Sequence, residues 1–363
     1  MSDLLAFTAE LVDIPSVSHA EGALADRVER DLRACAHLSV ERIGDTVVGR
    51  TRLGRARRVL LGGHLDTVPP FDGGGFRLEG DTVWGLGAVD MKGGLAVLLD
   101  LARQAAEPDV DVTYILYACE EVERRHNALA VLAAERPELL SADAAVLCEP
   151  TGGVVEAGCQ GTIRASASLG GRRAHTARPW VGVNAVHRLA PLLAVLDRYQ
   201  PRSVVLDGCR YEEQLQAVRI EGGVAGNVVP DRASVVVNYR FAPDRDLATA
   251  ESALRGILAG AMDEPSGDRL EIEDAAPAAP PALDHPVLAA LVAASGVPPR
   301  AKLGWTDVAT CWAAGIPAAN FGPGDPLLAH TPDEHVSRPE LEAARAVLGA
   351  LVGGSALRAG AAP

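Results

Sequence analysis

The sequence lacks the features of a secreted, membrane-spanning or nucleic-acid-binding protein. Residues 1–14 contain no basic segment followed by an apolar run, and no later apolar stretch is long enough to cross a bilayer. The formal net charge of −14 disfavours nucleic acid and anionic membrane surfaces as partners. We therefore expect a cytoplasmic protein with no nucleic-acid and no membrane partner.

The sequence also lacks closely spaced cysteine pairs and has very little lysine. The six cysteines show no Cys-x-x-Cys pair, so in a reducing compartment they are most simply buried free thiols. Lysine occurs only at Lys92 and Lys302, and aromatic residues make up 4% of the chain. Hydrophobic residues make up 48%, which is enough for a large core, and 363 residues are enough for two domains.

Short apolar segments separated by helical segments predict a mostly parallel sheet in the N-terminal part. We expect buried strands at 59–63, 110–118 and 144–147, and each runs directly into histidine or acidic residues. The carboxyl ends of parallel strands share one edge of the sheet, which is where such sheets bind ligands. The sequence therefore predicts a polar site at this edge.

From about residue 162 the pattern changes to β-α-β-β-α-β, which is typical of an antiparallel sheet covered by two helices on one face. Residues 283–352 return to alternating helix and strand. We therefore expect an α/β protein with helices on both faces of its main sheet. The main domain would comprise residues 1–161 and 276–363, and an inserted α+β domain would comprise residues 162–275. The small-residue tail from 353 to 363 is expected to be frayed.

Asp90 lies between a glycine-rich turn and the apolar run 95–99, which we expect to be a buried helix. Flanking glycines such as Gly87 and Gly93 allow a ligand to approach the main chain closely. A metal-bridging carboxylate is one interpretation. The alternative is an ordinary helix N-terminal aspartate, stabilised by capping and by the helix dipole.

Other candidate ligands follow the predicted strands. The full set is His64, Asp90, Glu121, Glu149 and His330. Two histidines and three carboxylates form a mixed nitrogen and oxygen ligand set that suits zinc or a similar divalent ion. If Asp90 is shared, each of two metals has one histidine, one further carboxylate and an open position. Taken singly, each residue also has an ordinary structural interpretation, such as a core histidine, a solvated acidic face or a turn.

Two further acidic residues fit supporting roles. Asp66 lies two residues from His64 on the same side of an extended chain, so its carboxylate can accept the second imidazole N–H. Glu120 directly precedes Glu121. At a bent strand end, Glu121 can ligate a metal while Glu120 acts as general base.

These residues resemble a known family. Segments 63–69, 87–94, 120–121, 149–151 and 329–334 resemble the dinuclear-zinc aminoacylase and carboxypeptidase metallopeptidases. The resemblance spans essentially the whole chain and implies a catalytic α/β domain with an inserted lid or dimerisation domain. It implies two Zn²⁺ per chain, which Co²⁺ or Mn²⁺ can replace. It assigns His64 and Glu149 to one ion, Glu121 and His330 to the other, and Asp90 as the bridge after which the peptide is cis.

Segments 156–162, 173–180, 222–230 and 304–307 carry a finer resemblance within this family. It implies that His175 of the lid reaches the active site of a second subunit, so a homodimer through the lid domain is expected. It also implies that Asn227, Arg240 and Thr306 hold a small anionic N-acyl amino acid. For His175 and Asn227, an ordinary surface and a turn before Pro230 are the alternatives.

The finer resemblance implies removal of the succinyl group from N-succinyl-LL-2,6-diaminopimelate, a step of lysine biosynthesis. Deacylation of N-acetylornithine or another N-acyl amino acid is the alternative within the same chemistry. A non-catalytic binding protein that kept the fold is an alternative of a different class. It is disfavoured because Asp90, Glu120 and His330 are all present.

Overall fold

The computed structural model describes residues 3–71 and 75–359. The strands within these residues are β1 (Ser39–Ile43), β2 (Thr46–Arg50), β3 (Arg58–His64), β4 (Arg77–Glu79), β5 (Thr82–Trp84), β6 (Asp111–Tyr117), β7 (Ala144–Leu147), β8 (Glu156–Ala157), β9 (Gly161–Gly170), β10 (Ser203–Leu206), β11 (Cys209–Glu212), β12 (Gln214–Gly222), β13 (Arg232–Phe241), β14 (Arg269–Ala276), β15 (Arg300–Ala301), β16 (Ala318–Asn320) and β17 (His335–Ser337).

The α-helices within the same residues pack around these strands. They are α1 (Leu4–Val12), α2 (Gly22–Arg33), α3 (Gly93–Gln104), α4 (Ala128–Glu135), α5 (Pro137–Leu140), α6 (Ala185–Asp197), α7 (Leu247–Ala259), α8 (Pro286–Ser295), α9 (Val308–Ala313), α10 (Arg338–Val352) and α11 (Ser355–Ala359). The short 3₁₀ turns add no layer to the fold.

The main sheet has the strand order β1-β2-β6-β3-β7-β16-β8-β15. Its centre, from β6 through β3 and β7 to β16, is parallel, whereas β1, β2 and β8 pair antiparallel with neighbours. The central strands β3, β6 and β7 are buried almost throughout, as expected for a parallel sheet covered on both faces. The predicted mostly parallel sheet is confirmed.

Successive residues of β3 face two separate cores. Val59 and Leu61 pack into a core with helices α1, α2, α3, α8 and α10, whereas Leu60 packs into a second core with α4, α5 and α9. This alternation is the period of two that a strand imposes on its side chains. Helices therefore cover both faces of the sheet, as predicted.

The smaller sheet has the order β12-β13-β9-β14, and all its pairings are antiparallel. Helices α6 and α7 cover one face, where they share an apolar core with β9 and β13. The predicted β-α-β-β-α-β order is confirmed. The opposite face carries polar side chains such as Thr162, Arg164, Asn238 and Arg240.

Three features differ from or extend the sequence prediction. The hairpin β10-β11 and the small sheet β17-β5-β4 were not predicted. The small sheet pairs β5 with β17, which lies about 250 residues later in the chain. Short strands with such distant partners leave little pattern in the local sequence. The prediction of a frayed tail was wrong for Ser355–Ala359, because α11 forms there and buries Ala356. Residues 360–363 lie outside the described residues.

Candidate metal centre

Three neighbouring strands of the main sheet bring the candidate ligands together. His64 is the last residue of the central strand β3, Glu120 and Glu121 follow β6, and Glu149 follows β7. Because β6 and β7 flank β3, these side chains converge at one edge of the sheet. His330 reaches the same edge from a loop after β16.

Asp90 lies between the two histidines. Its Oδ1 is 2.9 Å from Nε2 of His64, and its Oδ2 is 3.5 Å from Nε2 of His330. The peptide between Asp90 and Met91 is cis. One carboxylate therefore presents a different oxygen to each imidazole, which is the arrangement that a bridging ligand requires.

Two overlapping groups of ligand atoms surround Asp90. In one, His64, Asp90 and Glu149 each offer an atom, and in the other Asp90, Glu121 and His330 do so, with the atoms of each group within 4.8 Å of one another. Oε1 of Glu149 is buried and has no hydrogen-bond partner in the described part of the chain. A buried carboxylate oxygen needs a partner. These oxygens and nitrogens fit two divalent cations.

The acidic groups of the centre interact strongly because they are close together in a buried environment. Burial, followed by repulsion from Asp90, raises the pKa of Glu149 to about 7, against the attraction of His64. Burial also raises the pKa of Glu120 well above its usual range, with repulsion from Glu149 and Asp307 adding to it. Concentrated carboxylates of this kind favour a bound cation.

The pKa values of the two histidines are also raised, but by neighbouring carboxylates and not by burial. Hydrogen bonds to Asp90 and Glu121 raise the pKa of His330 to about 10. Burial lowers the pKa of His64, but hydrogen bonds to Asp66 and Asp90 outweigh this effect and raise it well above its usual value. Each imidazole is thus surrounded by negative charge.

Asp66 supports the centre through both its main-chain carbonyl oxygen and its carboxylate. Nδ1 of His64 lies 2.9 Å from the main-chain carbonyl oxygen of Asp66 and 3.5 Å from its carboxylate. The carboxylate also accepts the main-chain N–H groups of Glu120 and Glu121, at 2.9 and 3.0 Å. Burial raises the pKa of Asp66, but these contacts together with His64 hold it at about 2.

The structure brings His175 and Asn227 side by side on the unit formed by the smaller sheet. Both are exposed, and the N–H of Thr176 donates to the carbonyl oxygen of Asn227 at 3.1 Å. No hydrogen bond or ion pair joins either residue to the candidate ligands in the described part of the chain.

Arg240 and Thr306 lie closer to the interior. Arg240 is half-buried opposite Thr162 on β9, and it has no ion-pair partner within residues 3–71 and 75–359. Burial lowers its pKa. Thr306 is buried, and its hydroxyl accepts a hydrogen bond from Nδ2 of Asn320 at 3.2 Å.

Sequence reasoning missed several supporting residues. Oε1 of Glu334 accepts the main-chain N–H groups of Val89 and Asp90, at 3.1 and 3.0 Å. Asp307, which is fully buried, accepts from Asn127 and Thr310 at 2.6 Å each. Glu334 lies in the segment 329–334 with His330, and Asp307 lies in the segment 304–307 with Thr306. This closeness in sequence to candidate site residues was the signal that could have identified them.

No helix in the described part of the chain is long and apolar enough to cross a membrane.

Residues 60–353 match the model of the peptidase family M20/M25/M40, so the chain belongs to this family. It is 50% identical to the DapE protein of Mycobacterium tuberculosis H37Rv over 353 residues, which cover 97% of this chain and 98% of that protein. It is 44% identical over 354 residues to the succinyl-diaminopimelate desuccinylase of Corynebacterium glutamicum, with 96% and 95% covered.

Solved structures of lower sequence identity share the fold. Aminopeptidase PepT of Bacillus cereus superposes with a TM-score of 0.79 at 20% identity, and the match covers 97% of each chain. The YXEP protein of Bacillus subtilis, described as a dinuclear metal binding peptidase, gives a TM-score of 0.68 at 16% identity over 96% of each chain. The predicted α/β fold class is thus confirmed.

Proposed function

We propose that this chain removes the succinyl group from N-succinyl-LL-2,6-diaminopimelate and releases succinate and LL-diaminopimelate, in lysine biosynthesis. The observation that carries the proposal is end-to-end identity of 44% and 50% with the relatives from C. glutamicum and M. tuberculosis. The geometry of the candidate metal centre supports the chemistry, since an amide hydrolase needs an electrophile and a base at one site.

In this proposal the chain holds two metal ions. His64 and Glu149 bind one ion, Glu121 and His330 bind the other, and Asp90 is shared. We propose Zn²⁺, for which Co²⁺ or Mn²⁺ can substitute, because the donors are imidazole nitrogens and carboxylate oxygens. When bound, the metal pair polarises the scissile carbonyl and lowers the pKa of water.

Glu120 moves the proton in this mechanism. Its carboxylate takes a proton from the attacking water and then delivers it to the nitrogen of the departing amino group. Its position supports this role, because Glu120 directly precedes the proposed ligand Glu121 and offers an oxygen within 4.8 Å of the ligand atoms of His64 and Glu121. Asp66 holds the main-chain N–H groups of Glu120 and Glu121, which fixes the direction of both side chains.

The substrate is a small anion, and four residues are proposed to hold it. Arg240 would form two hydrogen bonds to a substrate carboxylate, and its lack of an ion-pair partner in the described residues supports this. Asn227 and Thr306 would add neutral hydrogen bonds. His175 would donate to the oxyanion of the tetrahedral intermediate.

We propose a homodimer in which the lid, residues 162–275, supplies the interface and the rest of the chain forms the catalytic domain. Strand β12 is an edge of the smaller sheet, and its Val218 and Ile220 are 56% and 53% exposed. A long exposed edge strand with apolar side chains is a surface for pairing with another strand. Trp180, five residues after His175 in the sequence, is also exposed.

A cytoplasmic location is part of the proposal. All six cysteines are free and buried, which suits a reducing compartment.

A matched substrate panel tests the function. The purified, metal-loaded protein is assayed with N-succinyl-LL-diaminopimelate, N-acetyl-LL-diaminopimelate and N-acetylornithine. We expect kcat/KM for the succinyl substrate to exceed that for its acetyl analogue by about 100-fold, because only the former presents the acyl carboxylate. Hydrolysis of N-acetylornithine without hydrolysis of the succinyl substrate would replace the proposed function by the alternative. Hydrolysis of none would favour a non-catalytic binding protein.

A further inference from the structure

Two buried carboxylates hold three consecutive main-chain N–H groups after β6. Oε1 of Glu21 accepts from Cys119 at 3.1 Å, and the two oxygens of Asp66 accept from Glu120 and Glu121 at 2.9 and 3.0 Å. Glu21 and Asp66 are each 1% exposed. We call these two carboxylates the amide clamp.

The clamp holds a bend in the chain. Cys119 has a φ of +60°, in the left-handed region that residues other than glycine rarely adopt. In an extended strand, Glu120 and Glu121 would point to opposite faces. Here both offer an oxygen within the same 4.8 Å group as His64. The bend at Cys119 is therefore what allows two adjacent glutamates to serve one centre.

Glu21 is placed for this contact by the helix that follows it. It directly precedes α2, and its side chain makes no capping hydrogen bond to that helix. Its carboxylate instead accepts from the N–H of Cys119 and from the thiol of Cys119, the latter at 3.3 Å. The partial positive charge of a helix N-terminus stabilises a carboxylate at this position.

The two parts of the clamp are linked through one loop. Oγ of Ser18 donates to Oδ2 of Asp66 at 2.8 Å, and the N–H of Ser18 donates to the carbonyl oxygen of Thr67 at 3.2 Å. Ser18 is three residues before Glu21. The loop before α2 therefore reaches Asp66 at one end and Cys119 at the other.

We propose that Glu21 is a positioning residue for the reaction: it fixes the Cys119 bend and thereby the orientation of the Glu120 and Glu121 carboxylates. This inference deepens the proposed function and rests on it. Within the described residues, the Glu21 carboxylate contacts the N–H and thiol of Cys119, so we expect its effect to reach the reaction through the main chain after β6.

Three variants separate this role from general stability. Glu21→Ala removes the acceptor, whereas Glu21→Gln keeps an oxygen that can accept the same N–H. Asp26→Asn is the matched control, because Asp26 lies on α2, the helix that follows Glu21, and its side chain is 69% exposed and pairs with Arg42. Hydrogen–deuterium exchange of the peptide covering residues 117–123 reports the contact in both metal-free and metal-loaded protein.

In Glu21→Ala, we expect this peptide to exchange about tenfold faster than in the wild type. We also expect kcat on N-succinyl-LL-diaminopimelate to fall by about 100-fold, as for a misplaced catalytic group. KM and a metal content of two ions per chain should stay unchanged. Glu21→Gln should show exchange and kcat close to those of the wild type. Asp26→Asn should match the wild type in both.

If hydrogen–deuterium exchange of residues 117–123 is unchanged in Glu21→Ala, the proposed role of Glu21 in the amide clamp is wrong. Faster exchange with unchanged kcat overturns the positioning role, as does a loss of kcat fully accounted for by lower metal content or melting temperature. If the wild type hydrolyses a different N-acyl substrate, the proposed function fails while the same comparison on that substrate still tests Glu21. A wild type that hydrolyses no N-acyl amino acid overturns both.

Discussion

The carboxylate of Glu334 lies behind Asp90 and accepts the main-chain N–H of that residue at 3.0 Å. The same oxygen accepts from Val89, so the turn that carries Asp90 is fixed from a point 244 residues later in the chain. Asp90 in turn contacts both histidines of the candidate metal centre. The position of the shared carboxylate therefore depends on a residue that is not itself a proposed ligand.

Glu334→Ala is expected to weaken metal binding by about 10- to 100-fold, the usual cost of losing a group that orients a ligand. Glu334→Gln keeps an acceptor for the two N–H groups and should bind metal more tightly than Glu334→Ala. Equilibrium dialysis with Zn²⁺ measures both. Asp333→Asn, at the exposed neighbouring position, is the control. Equal affinities in all four proteins would contradict the orienting role.

Glu120→Ala is expected to reduce turnover by about 10²- to 10⁴-fold while the metal content stays near two ions per chain. The reason is that Glu120 is proposed to move a proton, whereas Glu121 is proposed to bind a metal. Steady-state kinetics and elemental analysis of the same preparation check both statements. Loss of metal from Glu120→Ala, with metal retained in Glu121→Ala, would reverse the two assignments.

Chelation should remove the two metal ions in two phases. The side chain of His64 is 1% exposed, whereas that of His330 is 47% exposed, so the ion bound by Glu121 and His330 should leave first. Elemental analysis of samples taken during exposure to chelator follows the loss. His330→Ala should retain about one ion per chain. Simultaneous loss of both ions would argue against the assigned ligand pairs.

Ile220→Lys is expected to convert the proposed dimer to a monomer, because a lysine on an exposed edge strand opposes strand pairing. Since the family resemblance implies that His175 reaches the active site of the second subunit, turnover should fall with the dimer. Sedimentation at several protein concentrations measures the change. Val205→Lys alters another residue of similar exposure, 57%, outside β12 and is the control. A wild type that sediments as a monomer would contradict the proposal directly.

Glu213 gives the stability of the smaller unit a pH dependence. It is buried and accepts from Arg202, Arg245 and Tyr239. Burial raises the pKa of Glu213, but these contacts outweigh it and lower the pKa below its ordinary 4.5. Because the folded-state pKa is the lower one, the stabilisation is complete above about pH 4.5 and is lost as the pH falls through the folded-state value.

Glu213→Gln should therefore destabilise the protein at pH 7 by about 3–5 kcal/mol, the cost of breaking a buried ion pair. The difference from the wild type should shrink as the pH falls below about 4.5. Urea unfolding at pH 7, 5 and 3.5 measures it. Glu212→Gln, whose side chain is 36% exposed, is the control. A difference that stays constant with pH would contradict the role of this carboxylate.

Residues with a strong local pattern were predictable from sequence. The strands β3, β6 and β7 are short apolar runs, and His64, Glu121 and Glu149 follow them at the strand ends. The order of these residues along the chain was enough to propose a metal centre. The pairing of each ligand with a particular ion came from the family resemblance.

Residues that act through distant main-chain contacts were not predictable. Glu21 lies 98 residues from its partner Cys119, and Glu334 lies 244 residues from Asp90. Nothing near either residue in the sequence indicates which N–H it accepts. The same holds for β5 and β17, whose pairing depends on the completed fold.

The late position of His330 in the sequence has a consequence for synthesis. His64, Asp90, Glu121 and Glu149 leave the ribosome early, and the whole of the smaller sheet is made before His330 appears. The nascent chain therefore contains four of the five proposed ligands before His330, and before Glu334, which holds the turn of Asp90, are made. In the proposed assignment, a chain halted before residue 330 would lack one ligand of the second ion, so that ion would be bound only after His330 has been made.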